Sequence, residues 1–224
     1  MRFSVVIPTL NEATIIEQQI IQIRRLNKSA EIIVANGGSS DETVQLAEKH
    51  RAKVIHSRAG RGTQLRTGAE AASGDILVFL HADTVLPGDA FNVMTDFFSR
   101  GKNLIATFRI HFYPPYLILR MISSFTRFDT IITKFGDQCI VIKRSFYDHI
   151  GGFPDYPLFE DIYLLENARK HTRIRSLPSY VISSSRRFKR NGVARQLIWN
   201  AWLVLLYHTG RSPDKLSEMY RRKL

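Results

Sequence analysis

Along the first eighty residues, short apolar runs alternate with stretches of helical period. The first run, residues 3–7 (FSVVI), is β-branched and ends at Pro8, which predicts a buried strand. Ile15, Ile16, Gln19, Ile20, Ile23 and Leu26 then recur at helical spacing, which predicts a helix over 12–26 capped by Thr9 or Asn11. A strand over 31–35, a turn over 36–40, a helix over 41–50 and a strand over 53–56 follow. A glycine loop at 60–62 opens a helix over 63–72, Gly74 breaks it, and residues 76–80 (ILVFL) read as a further strand. This alternation implies an α/β fold with right-handed crossovers and a mainly parallel sheet. Ligands of such sheets sit beyond the carboxyl ends of the strands. Those ends are 8–12, 36–41 and 81–83, and all three carry polar residues.

The second half is less regular. Strands are expected over 103–112, 138–142, 174–177 and 180–183. Residues 116–135 are rich in Leu, Ile, Met and Phe, interrupted by Arg120, Arg127, Asp129 and Lys134, and predict an amphipathic helix. A short helix over 145–150 stops at Gly151-Gly152. A helix over 160–170 opens with Glu160 and Asp161, where the dipole favours acids. A long apolar helix over 192–208 stops at Gly210, and a last one begins near Ser212-Pro213 and carries Leu216, Met219 and Tyr220.

Composition narrows the class. At 224 residues, 44% hydrophobic and 23% charged, the chain has a globular balance. One cysteine, Cys139, excludes an internal disulfide and a cysteine-based zinc cluster and fits a reducing compartment. The start lacks a signal peptide's apolar segment, and the longest apolar run, 201–207, is far short of a membrane span, so a cytoplasmic protein is expected. A net charge of +12 favours polyanionic partners: nucleic acid, anionic lipid or phosphorylated small molecules. No zinc-finger or RNA-recognition pattern is present, so nucleic acid is not the expected partner. The charge thickens at Arg186-Arg187, Lys189-Arg190 and the 221–223 tail.

Chemistry concentrates in a few segments. Asp83, at the end of a rigid apolar strand, suits a hard divalent cation that completes its shell with phosphate oxygens and water. Read by itself, it serves equally well as a turn or cap residue before Pro87-Gly88. In order along the chain stand VVIPTLNE (5–12), NGGSSDET (36–43), GRGTQLRTGAEAASGDILVFLHADT (60–84) and GGFPDYPLFEDIYLLENAR (151–169). Together these resemble family 2 of the nucleotide-sugar glycosyltransferases, which have the GT-A fold. Within it the chain is most similar to a small soluble bacterial subgroup with HAD in place of DAD, supported by GDQ (136–138) and SSRRF (184–188).

The resemblance implies a catalytic domain over 1–190, with a nucleotide-sugar half (1–100) and an acceptor half (101–190), and a helical extension over 191–224. It places Pro8, Thr9, Asn11, Glu12, Asn36, Gly38, Asp41, Arg61, Gly62, His81, Ala82, Arg186 and Arg187 around the donor. Asn36 stands where most relatives have an aspartate; an amide donates as well as accepts, which leaves two readings open, a different base or donor preference or weaker binding. Asp83 becomes the ligand of Mn²⁺ or Mg²⁺, with His81 hydrogen-bonding nearby. Gly136, Asp137, Gln138 and Glu160 line the acceptor pocket. Asp161, with Glu160, is the catalytic pair, and Asp161 is the general base. The implied reaction is inverting transfer from a nucleoside-diphosphate sugar, UDP-hexose by default, to a hydroxyl acceptor. A catalytically silent nucleotide-sugar scaffold is the alternative, kept open by Asn36 and His81. The apolar helices, with Trp199, Trp202 and Tyr207, fit two readings: peripheral contact with anionic lipid on the inner face of the cell membrane, toward a lipid-linked acceptor, or packing on each other or across a homodimer. The residues leave both open.

Overall fold

The run read as the first strand becomes β1 (Phe3–Thr9), which pairs in parallel with β2 (Glu31–Asn36) and β4 (Ile76–Phe79); β2 pairs in parallel with β3 (Lys53–His56). Val5, Val6 and Ile7 have no exposure, because helices cover both faces of the sheet. That double burial explains why the run is apolar throughout. Pro8 does not end β1: it pairs opposite Ala35. The β4 partner has already stopped at Val6, so Pro8 has an edge on that side, where a missing N–H is tolerated. The computed structural model describes residues 1–130 and 133–221; part of the expected 116–135 helix and the 222–223 part of the basic tail lie outside these.

Helices α1 (Ala13–Leu26), α2 (Thr43–Lys49) and α3 (Arg61–Ala71) connect the parallel strands. Ile16, Gln19, Ile20 and Ile23 form the buried stripe of α1. The glutamine belongs there because its Nε2 donates to the Thr84 carbonyl at 2.6 Å. Neither Thr9 nor Asn11 caps α1, since Thr9 lies in β1 and Asn11 has φ 57°. The free N–H groups are satisfied from the next loop instead: Glu12 N donates to Thr43 Oγ1 at 2.8 Å and Ala13 N to Asp41 Oδ2 at 3.1 Å.

Beyond β4 come β5 (Thr84–Val85), α4 (Ala90–Ser99), β6 (Ile105–Tyr113), α5 (Leu117–Phe125), a 3₁₀ turn (Gly136–Gln138) and β7 (Ile140–Lys143). Then follow α6 (Arg144–His149), α7 (Glu160–Arg169), β8 (Arg175–Ser184), α8 (Arg186–Asn191), α9 (Val193–His208) and α10 (Pro213–Arg221). Several elements depart from expectation: the helix expected over 116–135 ends at Phe125, and β5 and the 3₁₀ turn, which takes Gln138 from the strand expected over 138–142, have no counterpart in the sequence reading. The helix α4 was not expected, although Phe91, Met94 and Phe98 give it a buried face. The two strands expected over 174–183 are one, β8. The basic segment after it is a short helix, α8.

Among the described residues the eight strands form one sheet in the order β3-β2-β1-β4-β7-β6-β8-β5. Only four residues separate β4 from β5, yet three strands lie between them in the sheet. A flat sheet would put β4 and β5 about 19 Å apart. The connecting chain spans at most roughly 17 Å when fully extended, and here it turns, with Thr84 N donating to His81 O at 3.1 Å. The sheet therefore curls, and the His81–Asp83 segment bridges its two ends.

Candidate active site

Three loops meet above the carboxyl ends of β1, β2 and β4. Asn11 ties the first to the second: its N–H donates to Ser39 Oγ at 2.9 Å, and its Oδ1 accepts from Ser40 N at 2.8 Å. Gly37 N donates to the Thr9 carbonyl at 2.9 Å. Gln64, buried on α3, donates to the carbonyls of both Thr9 and Ala35 at 2.8 Å. It locks the ends of β1 and β2 together, and a Cβ at Gly37 would lie 2.9 Å from it. Gln64 and Gln19 escape a reading for chemistry, because a glutamine in an apolar stripe is the only signal they give.

The expected donor residues divide by position. Thr9 and Asn36 are buried; the Thr9 hydroxyl has no hydrogen-bond partner, whereas Asn36 holds the second loop, its Oδ1 accepting from Ser39 N at 3.0 Å and its Nδ2 meeting His56 Nδ1 at 3.3 Å. Pro8 and Ala82 line the ends of β1 and β4, and Gly38 is exposed with φ 93°. Asp41 serves the start of α1 as described, and its Oδ1 also accepts from Thr43. Gly62 has a packing role: its N–H donates to the Tyr156 carbonyl at 3.1 Å, and a Cβ would lie 2.5 Å from the Pro154 and Tyr156 carbonyls. No other residue lets the 154–156 segment come so close.

Charged groups crowd the crevice itself. Arg61 lies 3.6 Å from Glu160, which is 1% exposed and whose two oxygens have no hydrogen-bond donor. Burial opposes the charge on Arg61, but Glu160, Asp161, Tyr220 and Asp83 outweigh it and raise its pKa. Glu160 is pushed up to about 7, chiefly by burial, with Arg61 opposing and Asp161 adding to the rise. Asp137 is likewise raised to about 7, by burial and then by the charges of Asp161 and Asp83, and its Oδ1 is buried without a partner. Glu12 is raised by burial and by Asp83, while Arg186 and Arg187 pull it down. His81 is driven down to about 3 by burial and the Arg61 and Arg187 guanidiniums, so its imidazole is neutral. Arg187 also donates to Tyr220 Oη at 2.5 Å, which brings α10 to the crevice. Tyr220 reads in sequence only as part of an apolar stripe.

On the opposite wall, Gly136 N donates to Asp161 Oδ2 at 2.6 Å and Ile162 N to Asp161 Oδ1 at 2.9 Å. The 3₁₀ turn is anchored from behind. Gln138, buried, donates to the Thr133 carbonyl at 2.5 Å and accepts from Thr107. Lys134, 1% exposed, donates to Thr107 Oγ1, Thr126 O and Ser176 Oγ. Burial lowers its ammonium to about 8, against the charge of Asp129. Cys139 and Phe159, which flank these elements, both have positive φ, 56° and 67°. Such backbone persists only where the surroundings over-determine it, and it collects at functional sites.

A family model described as Glycosyl transferase family 2 matches residues 4–151. The chain belongs to glycosyl transferase family 2. Its first relatives include the undecaprenyl-phosphate 4-deoxy-4-formamido-L-arabinose transferase of Pectobacterium atrosepticum, 30% identical over 47% of this chain and 36% of that one. The glucosyl-3-phosphoglycerate synthase of Mycobacterium tuberculosis is 36% identical over 39% of this chain and 31% of that one. The matches thus span about a third of the length of these curated relatives. Among solved structures, S. aureus TarS in complex with UDP aligns with a TM-score of 0.70 at 18% identity, over 82% of this chain and 60% of that one. Mannosyltransferase PcManGT of Pyrobaculum calidifontis, with GDP-Man and Mn²⁺, aligns at 0.65 and 18% identity, over 97% and 67%. These likenesses give the family 2 chain the GT-A fold.

The buried acids carry a pH signature. Glu160 has a folded-state pKa near 7, above its ordinary 4.5. The folded state therefore binds the extra proton between these values, and stability falls as pH rises through that window. Urea denaturation at pH 5 and pH 8 is expected to show the wild type losing more stability over this interval than Glu160→Gln. Equal losses would mean that the carboxyl titrates normally.

Proposed function

We propose that this chain catalyses metal-dependent, inverting transfer of a sugar from a nucleoside-diphosphate sugar, a UDP-hexose by default, to an acceptor hydroxyl. The observation that supports it most is the field around Asp83. Asp83 stands in the link from β4 to β5, and its charge adds to burial in raising the pKa of both Glu12 and Asp137. Asp137 Oδ1, buried without a hydrogen-bond partner, adds a further carboxyl to this cluster. Such a donor set fits a hard cation. Among the described residues no group of three potential ligands converges, so Asp83 would hold the metal and the remaining positions fall to diphosphate oxygens and water. Bound there, Mn²⁺ or Mg²⁺ supplies Lewis-acid stabilisation of the departing diphosphate.

The chain's own residues account for the rest. Arg61, Arg186 and Arg187 face the leaving group as guanidinium donors in a partly dry site. Neutral His81 beside Asp83 adds no positive charge that competes with the metal. Asp161 takes the proton of the acceptor hydroxyl as the new glycosidic bond forms and the bond to the diphosphate breaks. The backbone N–H groups of Gly136 and Ile162 fix its oxygens. A single displacement of this kind inverts the anomeric carbon. A lipid-linked acceptor is favoured by the relative named for undecaprenyl phosphate.

Calorimetric titration of UDP, GDP and dTDP, with Mn²⁺ and then with EDTA, tests the reading. One nucleotide is expected to bind in a metal-dependent way. Failure of all three would overturn the proposal and favour a silent scaffold.

A further inference from the structure

Helix α5 is built inside out. Its inward positions are Leu119 and Ser123, followed by Thr126, and both hydroxyls are consumed locally: Ser123 donates to the Leu119 carbonyl at 2.8 Å and Thr126 to the Ser123 carbonyl at 2.7 Å. Its outward face is Leu117, Ile118, Met121, Ile122 and Phe125, with Leu117 78%, Met121 61% and Phe125 57% exposed. Tyr113, just before the helix, is 71% exposed. A helix of a water-facing domain normally turns these residues inward, and a contiguous exposed apolar patch marks a surface that something covers.

Charge says what covers it. No aspartate or glutamate occurs from residue 97 to 128, or from 167 to 213. These two stretches hold 15 of the 32 lysines and arginines and none of the 20 acids, so the whole of the +12 charge resides in them. The fold joins them, because β6 and β8 pair along their length. At the end of that pair the apolar and basic elements are fastened together. Ser185 N donates to the Tyr113 carbonyl at 2.9 Å and Ser185 Oγ to the Pro114 carbonyl at 2.8 Å, and Phe112 packs on Phe188 of the basic helix α8. Arg120 on α5 and Arg127 in the turn that follows it are both exposed, and Arg127 lies 4.7 Å over the Phe128 ring.

We infer that α5 and the basic α8 beside it dock on an anionic lipid bilayer, with Leu117, Met121 and Phe125 in the headgroup region and Arg120, Arg127 and Lys189 on lipid phosphates. Apolar insertion combined with cationic attraction is the physics of interfacial helices. No helix among the described residues is long and apolar enough to cross a membrane, so the contact is with the surface. The inference deepens the transferase reading: from α5 the chain runs on to the Gly136–Gln138 turn, so docking would deliver a lipid-held acceptor to Asp137 and Asp161.

Co-sedimentation with phosphatidylglycerol/phosphatidylcholine vesicles and with pure phosphatidylcholine vesicles, without nucleotide, tests the docking apart from the transfer. The wild type is expected to pellet with the anionic vesicles only. Met121→Glu/Phe125→Glu and Arg120→Gln/Arg127→Gln are each expected to bind about tenfold more weakly, with metal-dependent nucleotide binding unchanged. Should the double glutamate variant fail to fold, Leu117→Gln at the most exposed position takes its place. Wild-type protein that stays in the supernatant, binds neutral vesicles equally well, or binds undiminished in the variants overturns the inference. So does a dimer, seen by sedimentation equilibrium, that these variants dissociate in the absence of vesicle binding. Nucleotide binding that fails while vesicle binding holds would sink the transferase reading and leave the docking intact.

Discussion

Asp161→Asn is expected to lower the rate of sugar transfer by about 10²–10⁴-fold, the contribution of a positioned general base, while metal-dependent nucleotide affinity stays at the wild-type level. The geometry makes this a clean substitution. An asparagine oxygen still accepts from Gly136 N, now 2.6 Å from Asp161 Oδ2, so the turn beside it is retained. What disappears is the capacity to hold the acceptor's proton. Single-turnover transfer, with the donor identified by titration, separates this loss of chemistry from any change in binding. Transfer at near the wild-type rate would remove Asp161 from the role and pass it to Asp137 or Glu160. Both of those carboxyls are held near pH 7, where a base works best.

Asp83→Ala is expected to abolish the Mn²⁺ dependence of nucleotide binding. Losing even an outer partner of a metal ligand costs about 10–100-fold in affinity, so loss of the ligand itself should cost at least about 100-fold. The fold should survive. Thr84, the next residue, is held by its pairing with Ser183 and by the bond from Gln19 to its carbonyl, and neither needs the Asp83 side chain. Calorimetry with and without EDTA checks the outcome. Undiminished Mn²⁺-dependent affinity for UDP would refute the metal assignment.

Much of this molecule is legible in its sequence, and the physical reason is local. The strands β1, β2 and β4 are buried on both faces, so their residues are apolar wherever the sheet runs, and their polar carboxyl ends stand out against it. The loops of the crevice are equally legible, because their residues lie in short continuous segments. What escaped is long-range. The pairing of β5 with β8 joins Thr84 to Ser183, and a two-residue strand carries no pattern of its own. Asn36 illustrates a second limit. Its type leaves a different base or donor preference or weaker binding open, yet its amide is already engaged with Ser39 and His56, a fact of tertiary structure that composition does not express. Lys134 illustrates a third: one charge among hydrophobic residues reads as an interruption of a helix, whereas it is a buried anchor for three acceptors.

The curl of the sheet has a consequence for synthesis. A ribosome releases β1 to β4 first, and with them the loops that follow β1 and β2. The strand that closes the curl, β8, ends at Ser184, about a hundred residues behind Asp83. Until β8 emerges, β5 has no partner, and the aspartate occupies an unclosed link between two parts of an unfinished sheet. An incomplete chain therefore has the three loops in place while the link that carries Asp83 is held only from α1, by the bond from Gln19 to Thr84. The geometry of the crevice around Asp83 is thus completed only when β8 pairs with β5.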